Sequence, residues 1–341
     1  MGGMPGPTRV ALALGSGGAR GYAHIGVIDV LEERGFEIAS VAGSSMGALV
    51  GGLNAAGKLA PYAEWARGLR QRDVVRLLDV SLSAPGAIRA EKILARVREL
   101  LAGALIEDLP IPFTAVATDL LARKEVWFQR GPVDVAIRAS IAIPTVITPV
   151  MLNGRLLADG ALTNPVPIAP TASAQADVTV AVSVAADPEQ VGVAPVRETA
   201  EPRPVEEWTE RFRAGASQLF DRESVRTLLG RFGNGSRGVE GSRGDGDGAT
   251  DPFGELPAGL GKLDMMNQSL DTMQSILTRY RLAGYPPDVL ISVPRDACRS
   301  LEFHRAAEMI DVGRRLAAQA LDRAGLVSGG PVPDAPPAAE E

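Results

Sequence analysis

Cysteine occurs once in the 341 residues, as Cys298, and histidine twice, as His24 and His304. A single cysteine rules out an internal disulfide and suits a reducing compartment, where it serves as a small buried or helix-start residue. Two distant histidines and one cysteine give no clustered metal-ligand spacing, so neither metal nor cofactor is expected. No run approaches the roughly 18 apolar residues of a spanning helix. The start, MGGMPGPTRVALALGSGG, lacks the basic n-region and long apolar core of a secretory signal. Basic stretches are missing as well. With a net charge of −6 and a pI near 5.2 the chain has nothing to displace phosphate counterions, which argues against nucleic acid as its main partner. A cytoplasmic protein is expected, and the charge leaves peripheral contact with the inner membrane surface open.

Apolar residues make up 45% of the chain, enough for a large core, and the apolar runs alternate strand and helix in the βαβ manner of a parallel sheet. The most informative stretch is GSSMG at residues 43–47, a Gly-X-Ser-X-Gly pentapeptide centred on Ser45. FEIASVA before it reads as a strand and MGALVGGLNAAG after it as a helix ending near Gly57. In a nucleophile elbow Gly43 and Gly47 make room for the sharp turn, and the serine projects at a helix N-terminus, where the dipole favours developing negative charge. In the competing reading the small residues only permit a tight helix start.

A second glycine-rich turn lies upstream, where the strand RVALAL at 9–14 feeds GSGGARG at 15–21 and then the helix YAHIGVIDVLEERG. A dinucleotide fingerprint fails on its frame: counted from Gly15 the sixth position is Arg20, and no acidic residue caps the next strand. A P-loop fails for want of lysine. An oxyanion hole remains, with the backbone N–H groups of Gly17 and Gly18 aimed at one point. The same glycines also suit a turn that needs positive φ.

Ser45 needs a base. His24 falls one turn into the first helix, a position that suits a hydrogen-bonded structural side chain. His304 opens the last helix, and Ser45, Asp159 and His304 follow the chain order of an α/β-hydrolase triad. In that fold, however, several strands precede the elbow, whereas Ser45 follows what reads as the second strand. The other candidate is Asp159 in LNGRLLADGALTNPVP, at a strand end and followed at once by Gly160. That choice gives a Ser–Asp dyad.

These motifs in order, GSGGARG, GSSMG and the Asp-Gly pair at 159–160, together with PFTAVATDL at 112–120 and AIRASIAIPTVITPV at 136–150, resemble the bacterial patatin-like phospholipases. The similarity is to the group that includes the neuropathy-target-esterase catalytic domain, and it covers about residues 8–187 and 263–325. It implies an α/β, patatin-like three-layer fold with a central, mostly parallel sheet flanked by helices. It further implies Ser45 as nucleophile, Asp159 as general base, Gly17 and Gly18 as oxyanion donors, and Arg20 as the family's arginine after the glycines. Ser16 and Ala161 stand where many members carry glycine. The implied reaction is cleavage of acyl esters of lysophospholipids or phospholipids through an acyl-enzyme, without metal or cofactor. The alternative from another class is a lipid-binding or regulatory module on the same fold. The role of Arg20, which could support the loop, meet an anionic head group or pair with a structural acid, stays open, as does the oligomeric state.

Elsewhere, 60–79 and 88–103 read as amphipathic helices over the site entrance, the second with Ile93, Leu94, Val97, Leu100 and Leu101 on one face. DVTVAVSVAAD at 177–187 reads as a strand. Residues 188–262 form an insertion: 188–204 and 230–261, the latter with eleven glycines, have the composition of flexible chain. Between them 205–232 spaces Trp208, Phe212, Leu219, Phe220, Leu228 and Phe232 helically, as a lid or as a helix pair packing on the domain. The helix expected at 263–284 carries a Met and Leu stripe that reads as core. A strand at 286–294, a closing helix at 303–325 and a disordered tail at 326–341 complete the chain.

Overall fold

The structure, a computed structural model, describes residues 6–77, 91–143, 147–186 and 262–326. The helix expected at 205–232, its flanking linkers and all but the first residue of the tail lie outside these.

Eight strands form one mixed sheet. They are β1 (Arg9–Leu14), β2 (Glu37–Ser44), β3 (Phe113–Asp119), β4 (Lys124–Phe128), β5 (Val150–Leu152), β6 (Arg155–Asp159), β7 (Val178–Ala186) and β8 (Val289–Pro294). The order is β5-β6-β3-β2-β1-β7-β8, with β4 also on β3. β3, β2, β1, β7 and β8 run parallel, while β4 and β6 are antiparallel to β3 and β5 is antiparallel to β6.

The chain steps from β1 to β2 to β3 in one direction and later from β7 to β8 in the other. Right-handed crossovers made in opposite directions put their helices on opposite faces of a sheet. Accordingly α1 (Ala23–Glu33) and α2 (Met46–Ala55) join Val10, Leu12 and Leu14 of β1 in the main core. α3 (Leu59–Arg67), α5 (Glu91–Leu101), α6 (Val133–Ser140) and α8 (Ala306–Arg323) contribute to the same core. On the other face Ala13 and Ala181 meet Val166, Ile168 and Leu282, the last from α7 (Lys262–Gly284), which links β7 to β8. The sheet is thus the middle of three layers, and the order reverses at β1, where ligand crevices of α/β folds open.

Some expectations are refined. The helix expected at 60–79 breaks at Gly68, giving α3 and α4 (Gln71–Leu77), with 78–79 outside the described residues. In α5, Leu94, Val97 and Leu101 are buried as the periodicity requires. The α5 stripe packs into the main core and against α6, and nothing in these contacts makes it a cover for the site entrance. One expectation is overturned. α7 forms at the right place, but Met265, Met266, Met273, Ile276 and Tyr280 face outward, Tyr280 with 75% of its surface exposed. Periodicity reports an apolar stripe and not what covers it; here the sheet side is served by Leu282 and Arg281 instead.

Candidate active site

β2 ends at Ser44, and Ser45 turns the chain with φ of 56° and ψ of −121° before α2 begins at Met46. That conformation is strained for a residue with a side chain and costs on the order of 1–3 kcal/mol. The surroundings enforce it. A Cβ at Gly43 would stand 2.3 Å from the Gly47 carbonyl oxygen, and one at Gly47 would stand 2.1 Å from the Leu14 oxygen. The elbow is pressed against itself and against β1, and only glycine fits on either side of Ser45.

The Ser45 N–H donates to Ser140 Oγ at 2.9 Å, and the Ser140 hydroxyl donates to the Val116 carbonyl at 2.6 Å. The Ser45 carbonyl accepts from the Ala48 and Leu49 N–H groups, opening α2. Ser44 Oγ donates to the Asn164 carbonyl at 2.6 Å. Ser45 is 3% exposed.

Asp159 reaches the same place by way of β3. One edge of that strand is shared end to end: its first half pairs with β2 as far as Ser44 opposite Val116, and its second half pairs with β6 from Asp159 opposite Ala117. Consecutive residues of β3 therefore bring the ends of β2 and β6 head to head. The Asp159 N–H donates to the Ala142 carbonyl at 2.9 Å, and its carbonyl accepts from Thr118 Oγ1 at 2.9 Å. The end of α6 thus holds both residues, Ser45 through the Ser140 hydroxyl and Asp159 through the Ala142 carbonyl.

The Asp159 side chain is 2% exposed. Its Oδ1 accepts from the Ala161 N–H at 2.8 Å, while Oδ2 has no hydrogen-bond partner among the described residues. Burial pushes the carboxyl pKa up to about 7; the nearby Ser45 hydroxyl, and then the Ala161 N–H, pull the other way. Ser45 therefore acts on Asp159 without closing a well-formed bond to Oδ2.

The glycine loop follows β1. Gly15 N–H donates to Val182 O, Ser16 N–H to Pro165 O and Ala19 N–H to Ser300 O, each at 2.9 Å. The two amides between them, Gly17 and Gly18, donate to nothing among the described residues. Gly18 has φ of +55°, and a Cβ there would meet the Ser300 oxygen at 2.4 Å. Arg20 braces the loop from behind: one terminal nitrogen donates to the Arg295 carbonyl at 2.6 Å and the other to Ser300 Oγ at 3.3 Å. Of the three roles open to Arg20, loop support is the one these contacts serve.

His24 is fully buried, with Nε2 2.7 Å from the Gly15 carbonyl. Burial lowers its pKa to about 4, so the ring is neutral and Nε2 carries the donated proton. It is a strut for the glycine loop. His304 lies in the single turn before α8, and the groups that act on the Asp159 carboxyl do not include it. The triad through His304 is not assembled. Among the described residues no group of three or more His, Cys, Asp or Glu gathers as a metal site would need.

Sequence reasoning missed Ser140, Thr118 and Asn164. Asn164 donates from Nδ2 to Glu125 at 2.9 Å, and Glu125 is paired with Arg281 of α7. Arg281 also donates to the Thr163 carbonyl at 3.0 Å, so α7 is tied to the turn that follows Asp159.

Comparison with known proteins supplies relatives. The family model for patatin-like phospholipase matches residues 12–172. An NTE family protein of Mycobacterium tuberculosis is 54% identical over 336 residues, covering 92% of this chain and 91% of that protein. Patatin-like phospholipase domain-containing protein 6 of Mus musculus is 30% identical over 187 residues, 53% of this chain and 14% of the mouse protein. Among solved structures, VipD from Legionella pneumophila aligns over 94% of this chain and 67% of its own, at 14% identity and a TM-score of 0.41.

Proposed function

The chain belongs to the patatin-like phospholipase family, on its NTE branch, and from that membership we propose that it is a serine acyl hydrolase with Ser45 as nucleophile and Asp159 as general base. The observation that carries the reading is the buried Asp159 Oδ2, without a hydrogen-bond partner among the described residues, beside a serine held in a strained elbow. A binder has no use for either cost.

In the proposed reaction the Ser45 hydroxyl passes its proton to Asp159 as Oγ attacks the ester carbonyl. The tetrahedral oxyanion is held by the N–H groups of Gly17 and Gly18, aided by the α2 dipole. As the intermediate collapses, Asp159 returns the proton to the departing alcohol oxygen and leaves an acyl-serine. Water, deprotonated by Asp159, then releases the fatty acid and restores Ser45. An aspartate at its ordinary pKa of about 3.9 would be a poor base for a serine hydroxyl. Burial to about 7 narrows that gap.

The proposed substrates are acyl esters of lysophospholipids or phospholipids, with peripheral contact at a membrane surface. No helix among the described residues is long and apolar enough to cross a membrane. The outward Met265, Met273, Ile276 and Tyr280 of α7, on a helix tied beside Asp159, support such contact. The test is release of fatty acid from lysophospholipid and from a short-chain aryl ester by wild type, Ser45→Ala and Asp159→Asn. Both variants are expected to remain folded and to lose at least about 10³-fold in turnover. A wild type that cleaves neither ester and resists a serine-directed phosphonate would instead mark a lipid-binding module.

A further inference from the structure

Like the end of α6, the turn at 160–164 touches both halves of the proposed dyad. Its Ala161 N–H donates to Asp159 Oδ1 at 2.8 Å, and its Asn164 carbonyl accepts from the hydroxyl of Ser44, the residue before the nucleophile, at 2.6 Å. The Asn164 N–H donates to the Gly160 carbonyl at 2.8 Å and closes the turn on itself. A displacement of this turn would therefore move the Asp159 carboxyl and the elbow relative to each other.

A carboxylate on a neighbouring strand fixes the turn from outside. Asn164 is 1% exposed, and its side-chain amide sets Nδ2 on Glu125 Oε2 at 2.9 Å while Oδ1 is buried with no hydrogen-bond partner among the described residues. Burying an amide with its acceptor unused is unfavourable, and a donor bond to an ionised oxygen is the contact that offsets it. Glu125 Oε2 also accepts from Trp127 Nε1 at 3.0 Å. Glu125 Oε1 pairs with one terminal nitrogen of Arg281, and the same nitrogen donates to the Thr163 carbonyl at 3.0 Å. One carboxylate thus gathers Asn164 and Arg281, and these grip the turn at two adjacent residues. Glu125 also stands directly opposite Thr118 in the β3–β4 ladder, and the Thr118 hydroxyl lies 2.9 Å from Thr163 Oγ1. Glu125 is not among the groups that act directly on the Asp159 carboxyl, which are the Ser45 hydroxyl and the Ala161 N–H. Its influence on the dyad runs through the position of the turn.

We propose that Glu125 is a positioning residue for the acyl transfer: through Asn164 and Arg281 it holds the turn at 160–164 so that Asp159 and the Ser45 elbow keep their reactive separation. The inference rests on the hydrolase reading of Ser45 and Asp159. The experiment compares the full chain as wild type, Glu125→Ala, Asn164→Ala, the double variant, Arg281→Ala and Arg281→Lys. It measures kcat and KM on the short-chain aryl ester from about pH 5 to 9, beside thermal denaturation. Glu125→Ala and Asn164→Ala are each expected to lower kcat about 10- to 100-fold with KM changed less than about threefold, the scale of a misplaced reacting group. The double variant should lose no more than the worse single one, because the two residues act through one bond. Arg281→Lys should restore most of what Arg281→Ala loses, since a single nitrogen makes both contacts. A loosened turn also admits water to the Asp159 carboxyl, so the midpoint of the pH profile should fall from about 7 towards the ordinary carboxylate range. Activity lost only in proportion to the unfolded fraction, with the midpoint unmoved, would make Glu125 a merely structural residue and overturn the proposal. Unchanged kcat in the single variants, or additive losses in the double one, would overturn it too. A wild type that is inactive and resists the phosphonate defeats the hydrolase reading and this inference with it; an active wild type beside unaffected variants defeats the inference alone.

Discussion

Ionisation of Asp159 is the residue-level variable on which the proposed chemistry turns. The carboxyl must be charged to take the Ser45 proton, and burial sets its pKa at about 7. The specificity constant for a soluble ester should therefore rise with pH and level off above about 7, falling about tenfold per unit below it. A profile flat down to pH 5 would remove Asp159 as the base. The same shift bears on stability. Because the folded-state pKa lies above the unfolded value of 3.8, the group's contribution is fully present below pH 3.8 and is lost as pH rises to about 7. Asp159→Asn, neutral throughout, should therefore be more stable than wild type above pH 7, by up to a few kcal/mol, with the gain fading as pH falls from 7 towards 4. Calorimetry across that range checks the sign, and a gain that grows on acidification would contradict it. Ser45, Asp159 and the two glycine turns were legible in the sequence because each demands a residue type at a fixed place in a short contiguous motif. Ser140 and Thr118 were not: each is an ordinary hydroxyl in a helix or strand, and each acts on a partner 95 or 41 residues away.

Among elements, α2 is held tightly in place. All ten of its residues are buried, and at Gly47 it comes against the last residue of β1. Gly47→Ala should push a methyl into the Leu14 carbonyl, destabilise the fold by about 1–3 kcal/mol and slow phosphonate labelling of Ser45. Urea denaturation and labelling rates measure the two effects; labelling at the wild-type rate would mean that the elbow tolerates displacement. Strands and helices of the βαβ run were readable from alternation of buried segments and glycine turns. The antiparallel placement of β4, β5 and β6 was not, since pairing partners are chosen by tertiary contact rather than local pattern. Nor was the exposure of α7, whose stripe has core-like composition but whose attachment runs through Leu282 and the Arg281–Glu125 pair.

On the scale of the whole molecule, the outward face of α7 and the proposed active site are joined by Arg281, which reaches the turn after Asp159. An apolar face of several large side chains is a common mark of an interaction surface. Met273→Glu together with Ile276→Glu should weaken co-sedimentation with phospholipid vesicles and slow hydrolysis of vesicle-embedded lipid, while cleavage of a soluble short-chain ester is kept. Equal loss on both substrates, or none on either, would dismiss the surface as a membrane contact. The wider arrangement also makes one strand a gauge. Neither Val116 nor Ala117 takes part in bond making, yet the single peptide unit between them fixes where two distant stretches of chain meet. Adding or removing one residue in β3 would leave Ser45 and Asp159 in the protein and the sheet still able to form, with the two side chains reset to a different separation. Drift in this lineage would accordingly be freer in the helices around the sheet than in the length of that one buried strand.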